Sequence, residues 1–346
     1  MKALLGCLLC VSLNLPAFAS DNTLGFHTAT LADEQGARPL ELVVWYPGIT
    51  TAIPELIADT PVFVGDLAVR NAPPAAGAHP LVVLSHGFRG NWGNQSWLAS
   101  ALAHQGYIVA AVNHPGTTTR NRDPQAAAQL WQRPMDLKRA IDAVLAHPEQ
   151  FGSVATGQIA VVGHSLGGWT ALEIAGARFD PQQFAQDCVT HAQLSSCSVY
   201  KQLAPDSNPA STTRLSADLS DKRVTAIVTL DLGLSRGMTN ESLAALPVPV
   251  LVIAAGAPSA DLPAQLESAD LAKRLPAATS RYVAIKDASH FSFLSQCKPG
   301  AVALLEKDAA GDGVICRDGE NARPRGVIQG DVVSLITGFL AAAGRD

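Results

Sequence analysis

Along the chain, short apolar runs alternate with stretches in which apolar residues recur every three to four positions. Residues 40–46, 81–85, 108–112, 159–162, 226–230, 250–254 and 282–285 read as strands. Several of these runs are apolar throughout, as a strand buried on both faces must be. Between them, 97–105, 135–146, 166–177 and 262–275 carry helical spacing, so that one face of each can pack on a sheet. The alternation is a βαβ series and predicts an α/β sandwich around a mostly parallel sheet flanked by helices. The first two strands have loop-like sequence between and after them, which predicts an antiparallel start.

Two stretches break this rhythm. Residues 178–223 are polar, rich in Pro and Ser, and sit between a helix and the 226–230 strand; they read as a cap inserted into a single domain that runs from residue 20 to 346. Residues 295–325 form a second irregular stretch before a last helix over 330–343. The first residues have a different pattern. Lys2, an apolar run over 3–15 and the small-x-small triplet Ala17-Phe18-Ala19 form a leader with cleavage after Ala19. Leu4-Leu5-Gly6-Cys7 falls short of a lipoprotein box, because the apolar run ahead of Cys7 is too brief. The leader is also shorter than the roughly 20 residues that span a bilayer, and no later segment reads as long enough. The expectation is an exported protein, periplasmic or secreted, without a stable membrane anchor.

Export changes the meaning of the cysteines. Two of the six lie in the leader, leaving Cys188, Cys197, Cys297 and Cys316, an even set in an oxidising compartment. Local pairing gives Cys188–Cys197 in the cap and Cys297–Cys316 after the last strand, each worth roughly 3 kcal/mol in the loop-entropy picture. No CxxC and no histidine at ligand spacing supports a metal or redox dithiol there. The whole-chain numbers narrow the class further. With 346 residues, 47% apolar and 16% charged, the chain can bury a large core and is not disordered. A net charge of -5 with no run of like charge argues against nucleic acid as a partner.

The candidate chemistry is at Gly163-His164-Ser165-Leu166-Gly167-Gly168, which follows the 159–162 strand and opens the next helix. At such a strand-to-helix elbow a serine hydroxyl stands exposed on a strained turn, with glycines admitting close backbone approach. A serine nucleophile needs a histidine to take its proton and a carboxylate to hold that histidine in one tautomer. Of nine histidines, His290 alone lies just past the last predicted strand. His164 sits inside the elbow, where its ring packs; His27, His79, His104, His147 and His191 read as surface or core residues. Two acids are candidates. Asp231 directly ends the 226–230 strand and is preferred; Asp261 lies along a loop of small residues and reads equally as a helix cap. An oxyanion hole needs two amides: the Leu166 N–H, after the nucleophile, and the Phe88 N–H in Ser85-His86-Gly87-Phe88-Arg89-Gly90. Arg89 is either structural or a partner for a substrate carboxylate, and His114 either lines the pocket or makes a structural hydrogen bond. Ser198-Val199-Tyr200-Lys201 matches S-x-x-K without its partner motifs, and residues 308–318 lack calcium-loop spacing.

These residues resemble an α/β-hydrolase, and more narrowly the bacterial dienelactone-hydrolase-like proteins and platelet-activating-factor acetylhydrolases. The matching pieces are Val44-Trp45-Tyr46-Pro47, Ser85-His86-Gly87-Phe88, Asn113-His114-Pro115-Gly116, the Ser165 elbow, Thr229-Leu230-Asp231 and Ser289-His290-Phe291. The resemblance spans about residues 40–295. It implies a carboxylic-ester hydrolase with Ser165 in place of the cysteine nucleophile of true dienelactone hydrolases, and it favours Asp231 as the acid. It implies no metal and no cofactor, and a small-molecule or lipid ester as substrate. An acyltransferase or peptidase on the same site would be told apart by whether an alcohol or amine outcompetes water. A non-catalytic secreted binding protein would be told apart by absence of turnover.

Overall fold

In the computed structural model, residues 23–33, 38–319 and 321–344 are described; the leader expected over 1–19 lies outside them. Ten strands form one sheet: β1 Thr23–Leu31, β2 Leu40–Gly48, β3 Glu55–Ile57, β4 Asp66–Arg70, β5 Ala78–Ser85, β6 Ile108–Asn113, β7 Ser153–His164, β8 Ala226–Leu230, β9 Val250–Ala255 and β10 Ser280–Ile285. Their spatial order is β10-β9-β8-β7-β5-β6-β2-β1-β4-β3. The six strands from β10 to β6 are parallel. β2 runs against β6, and β1 against β2.

The helices are α1 Ser96–His104, α2 Pro124–Ala128, α3 Gln132–Ala146, α4 Pro148–Phe151, α5 Leu166–Ala175, α6 Pro181–Thr190, α7 Ser195–Leu203, α8 Pro209–Leu215, α9 Asn240–Ala244, α10 Ser268–Arg274, α11 Ala301–Asp308 and α12 Arg325–Ala343. Because side chains alternate along a strand, the continuous apolar runs feed two cores at once. Leu81, Val83 and Val161 join Leu137, Ile141 and Val144 of α3 on one face. Val82, Leu84 and Val162 join Leu98 and Leu102 of α1 and Ile328, Val332 and Ile336 of α12 on the other. Each such side chain contributes about 2 kcal/mol by leaving water.

The architecture is an α/β-hydrolase fold, and it departs from the sequence expectations in several places. The 81–85 strand is not part of an antiparallel start: α1 is a crossover that returns the chain to the sheet, so β5 lies parallel between β6 and β7. β1, β3 and β4 went unpredicted. The helix expected over 262–275 is confined to α10, because Leu266 and Glu267 hydrogen-bond back to the Pro263 carbonyl and form a turn first. The final helix begins at Arg325, one residue after Pro324, and not at 330. With 19 residues and a mean hydropathy of 1.5, α12 is also long and apolar enough to cross a membrane, contrary to the reading that no later segment is. Its Ile328, Val332 and Ile336 stripe is fully buried against the sheet, while most of its other residues are exposed or half-buried. Finally, 178–223 is not irregular but holds α6, α7 and α8.

Candidate active site

β7 runs straight into the elbow. Ser165 has φ +56 and ψ −122, a conformation that costs an L-residue on the order of 1–3 kcal/mol and persists only when its surroundings enforce it. Here they do: the Ser165 N–H donates to the Leu230 carbonyl at 2.9 Å. A Cβ on Gly163 would stand 1.9 Å from the Gly167 carbonyl oxygen, and one on Gly167 would stand 1.9 Å from that of Ser85. Only glycine lets β5, β7 and α5 approach this closely. The turn leaves Ser165 half-buried at the carboxyl end of the sheet.

One strand over, β8 ends in Asp231, buried and also at positive φ (+44). Its N–H donates to the Ile253 carbonyl at 2.7 Å and its Oδ1 accepts the Ala255 N–H at 2.9 Å. The remaining oxygen, Oδ2, meets His290 Nδ1 at 2.7 Å, which directs the other ring nitrogen, Nε2, away from the acid. His290 sits on a single turn closed by Ser289 and Ser292: the Ser289 N–H donates to Ser292 Oγ at 2.9 Å, and that hydroxyl donates to Asp318 Oδ1 at 2.6 Å. Asp261 goes elsewhere. Its carboxylate accepts the Ser259 and Ser195 hydroxyls, each at 2.7 Å, which hold it below the usual carboxylate range, and its carbonyl accepts the Ser195 N–H. It fastens α7 to the loop after β9.

The elbow and the histidine loop are joined by His164. Its Nε2 donates to the His290 carbonyl at 3.0 Å, and the two rings lie 4.7 Å apart. Burial, then the neighbouring His290, holds His164 well below its usual pKa, so it remains neutral. The Ser165 hydroxyl itself is bonded to neither His290 nor any other described group. Beside it, the position of a Gly87 Cβ would be 3.0 Å from Ser165 Cβ. The Phe88 and Leu166 N–H groups, of the residues after Gly87 and after Ser165, donate to no protein acceptor among the described residues. Arg89 is exposed, with its guanidinium over the Phe88 ring at 5.2 Å, and it makes no ion pair among those residues.

Sequence reading missed what lies beneath Phe88. Ser85 Oγ meets His114 Nε2 at 3.0 Å, and His114 Nδ1 meets Asp136 Oδ2 at 2.9 Å. Arg38 binds Asp136 through two bonds, at 2.9 and 2.7 Å. His86 Nδ1 donates to the Gly87 carbonyl and its Nε2 accepts the His114 N–H, so of the two alternatives for His114 the structure has the structural hydrogen bond. Burial holds His86 and His114 well below their usual pKa and pushes Asp136 up. The signal was present: Arg133 and Asp136 are charged residues on the buried stripe of α3.

Away from the site, Cys188 pairs with Cys197 and Cys297 with Cys316. Asp187, Cys188 and Cys197 are grouped closely enough for a metal, but the disulfide occupies both sulfurs.

A family model described as the alpha/beta hydrolase family matches residues 82–303. A bis(hydroxyethyl) terephthalate hydrolase of Streptomyces coelicolor is 30% identical over 102 residues, a match that spans 30% of either chain. A solved ferulic acid esterase from Streptomyces cinnamoneus shares the fold, with a TM-score of 0.61 at 21% identity, over 95% of this chain and 91% of that one.

Proposed function

The chain belongs to the alpha/beta hydrolase family, and within it we propose an exported serine hydrolase that cleaves carboxylic esters through an acyl-Ser165 intermediate. The observation that carries this reading is the Asp231–His290 hydrogen bond at 2.7 Å, delivered beside a serine on a strained turn flanked by two unspent amide donors. With Nδ1–H engaged by Asp231, His290 Nε2 takes the Ser165 proton as Oγ bonds to the ester carbonyl carbon. The carbonyl oxygen gains negative charge and is held by the Phe88 and Leu166 N–H groups. The same proton passes to the departing alkoxide. Water then repeats the cycle, giving a proton to His290 and releasing the acid as the acyl–Oγ bond breaks. The two relatives named above carry ester-hydrolase names, which favours esters over amides.

The segment 178–223 acts as a cap on this site, fastened through Ser195 to Asp261. Export agrees with two disulfides, which persist in oxidising compartments. The test is hydrolysis of nitrophenyl esters of increasing acyl length, together with mass analysis after a fluorophosphonate. Turnover with one adduct on the Ser165 peptide is expected; no turnover on any ester and no adduct would overturn the reading.

A further inference from the structure

We propose that Arg133 is a positioning residue for the oxyanion hole, fixing from behind both chain segments that carry the hole's amides. The inference rests on the ester-hydrolase reading of Ser165 given above. Arg133 is 1% exposed and makes hydrogen bonds in two directions. Toward the nucleophile helix, Nε donates to Thr170 Oγ1 at 2.9 Å, and that hydroxyl donates to the Leu166 carbonyl at 3.1 Å. Leu166 is the residue that supplies one amide of the hole. Toward the β5 loop, the guanidinium bonds Ser85 Oγ at 3.3 Å and the His86 carbonyl, two residues ahead of Phe88, which supplies the other amide. A further bond at 2.6 Å reaches Thr117 Oγ1, and the Thr117 carbonyl accepts the Arg89 N–H at 2.8 Å. Thus one rigid planar group reaches Leu166 through the Thr170 hydroxyl and ties the chain on both sides of Phe88, directly at His86 and through Thr117 at Arg89.

Its charge sets it apart from an ordinary structural tie. Among the described residues no carboxylate is hydrogen-bonded to Arg133: Asp136, on its own helix, acts on it only through space and is bonded to Arg38 and His114. A buried cation without a hydrogen-bonded anion is an expensive way to join loops, and an uncharged side chain could satisfy two of these acceptors. A guanidinium fork is the group that satisfies four with fixed mutual geometry. Its positive charge also lies behind the amides toward which negative charge develops in the transition state.

Amides held in this way matter to the transition state and little to the bound substrate. The experiment uses the full mature protein with both disulfides and measures kcat, KM and the inhibition constant of a trifluoromethyl ketone, whose adduct with a serine places an oxyanion in the hole. For Arg133→Gln, kcat is expected to fall about 100-fold, as for loss of one oxyanion donor, with KM changed less than about threefold. The ketone should weaken by the same factor as kcat/KM. Arg133→Lys keeps the charge without the fork and should recover about a tenth of wild-type turnover. Thr117→Val, which removes the bond from Arg133 together with the hydroxyl's own bond to the His114 carbonyl, should lose roughly tenfold. Unchanged kcat in folded Arg133→Gln, or a fall in kcat with unchanged ketone affinity, would overturn the proposal. Should Arg133→Gln fail to fold, Thr117→Val decides, and a kcat and ketone affinity within about threefold of wild type overturn it. Failure of the underlying reading looks different: the wild type itself would then neither hydrolyse esters nor bind the ketone.

Discussion

Two Ser–His–Asp sets lie at the carboxyl edge of one sheet. In Ser85–His114–Asp136 both hydrogen bonds are closed, at 3.0 and 2.9 Å, and all three side chains are buried. In Ser165–His290–Asp231 only the acid–histidine bond is made. By hydrogen-bond geometry alone the first set is the better triad, yet it has nothing to act on. Its serine ends a regular strand, its hydroxyl is already shared with Arg133, and its acid is occupied by Arg38. The second set has an unspent hydroxyl on a positive-φ turn, a histidine side chain that remains 21% exposed and, at Phe88 and Leu166, two amides that donate to no acceptor among the described residues. What separates the set proposed as reactive from the closed one is access, backbone strain and donors left unspent; the same three residue types serve both.

The largest effect should come from the two serines. Removing the nucleophile of a triad costs up to about 10⁶ in turnover, so Ser165→Ala is expected to be inactive while folding normally, because Ser165 contributes little packing. Ser85→Ala should keep turnover within roughly tenfold and lose stability instead, about 1–3 kcal/mol for leaving His114 without its partner. Ester turnover and urea melts of both variants measure this. If Ser85→Ala is the inactive one, the roles assigned to the two sets are reversed.

The acids sharpen the contrast at the next level. An Asn in place of a triad acid permits the wrong histidine tautomer and costs about 10⁴, so Asp231→Asn should be nearly inactive. Asp261→Asn should weaken only its bonds to the Ser259 and Ser195 hydroxyls and remain close to normal. The opposite pattern in turnover would sink the choice of Asp231.

How far these assignments could be read in advance differs by element. Strands such as 159–162 were legible because burial on both faces leaves an unbroken apolar run; the places of Ser165 and His290 just past strand ends were legible because each follows an apolar run, although the one ahead of His290 belongs to the mostly exposed β10. β1 was not, because its outer half alternates with solvent and it follows a leader of similar composition. α6 and α8 each open with an acceptor side chain and then proline, Asp180-Pro181 and Asn208-Pro209, but both are short and mostly polar, with Phe184 and Leu215 the buried side chains past those prolines, so few apolar positions extend those signals. Arg133 and Asp136 were hidden for another reason. Helical spacing puts Asp136 on the buried stripe and left Arg133 outside the expected helix, and spacing does not reveal that residues after β5 and β6 and on α5 bring acceptors to Arg133.

Burial also gives three histidines of this edge a pH dependence. His86, His114 and His164 are all held well below their usual pKa by burial. In the unfolded chain they titrate near 6.5. As pH falls through that value the unfolded chain binds protons that the folded protein refuses. Stability is therefore lost toward acid, by up to about 1.4 kcal/mol per pH unit for each histidine. Asp136, shifted up, has the opposite sign and offsets part of this only at the acid end. Urea melts from pH 8 to pH 5 should show the midpoint dropping below about pH 6.5; a flat profile would mean that these rings protonate in place.

The smallest effects distinguish the two disulfides. Cys297–Cys316 encloses a sequence separation of 19 residues and Cys188–Cys197 one of 9, so each should contribute roughly 3 kcal/mol, the first slightly more. Their functional reach differs more than their stability. Asp318, two residues past Cys316, accepts the Ser292 hydroxyl that closes the His290 turn, and Arg325 ties Asp318 to the Ser295 carbonyl. Opening this disulfide should therefore loosen the base. Cys188 and Cys197 join α6 to α7, where Asp187 meets Arg236, and their contacts do not reach the histidine. Replacing Cys297 and Cys316 by Ser is expected to lower both the melting temperature and kcat on every nitrophenyl ester, by about tenfold, the order of a misplaced base. Replacing Cys188 and Cys197 should lower the melting temperature and change the ranking of acyl lengths while leaving kcat on the best ester nearly intact. Equal kcat losses from both pairs would show that the cap and the His290 loop are coupled as one unit, and the division drawn between them would fall.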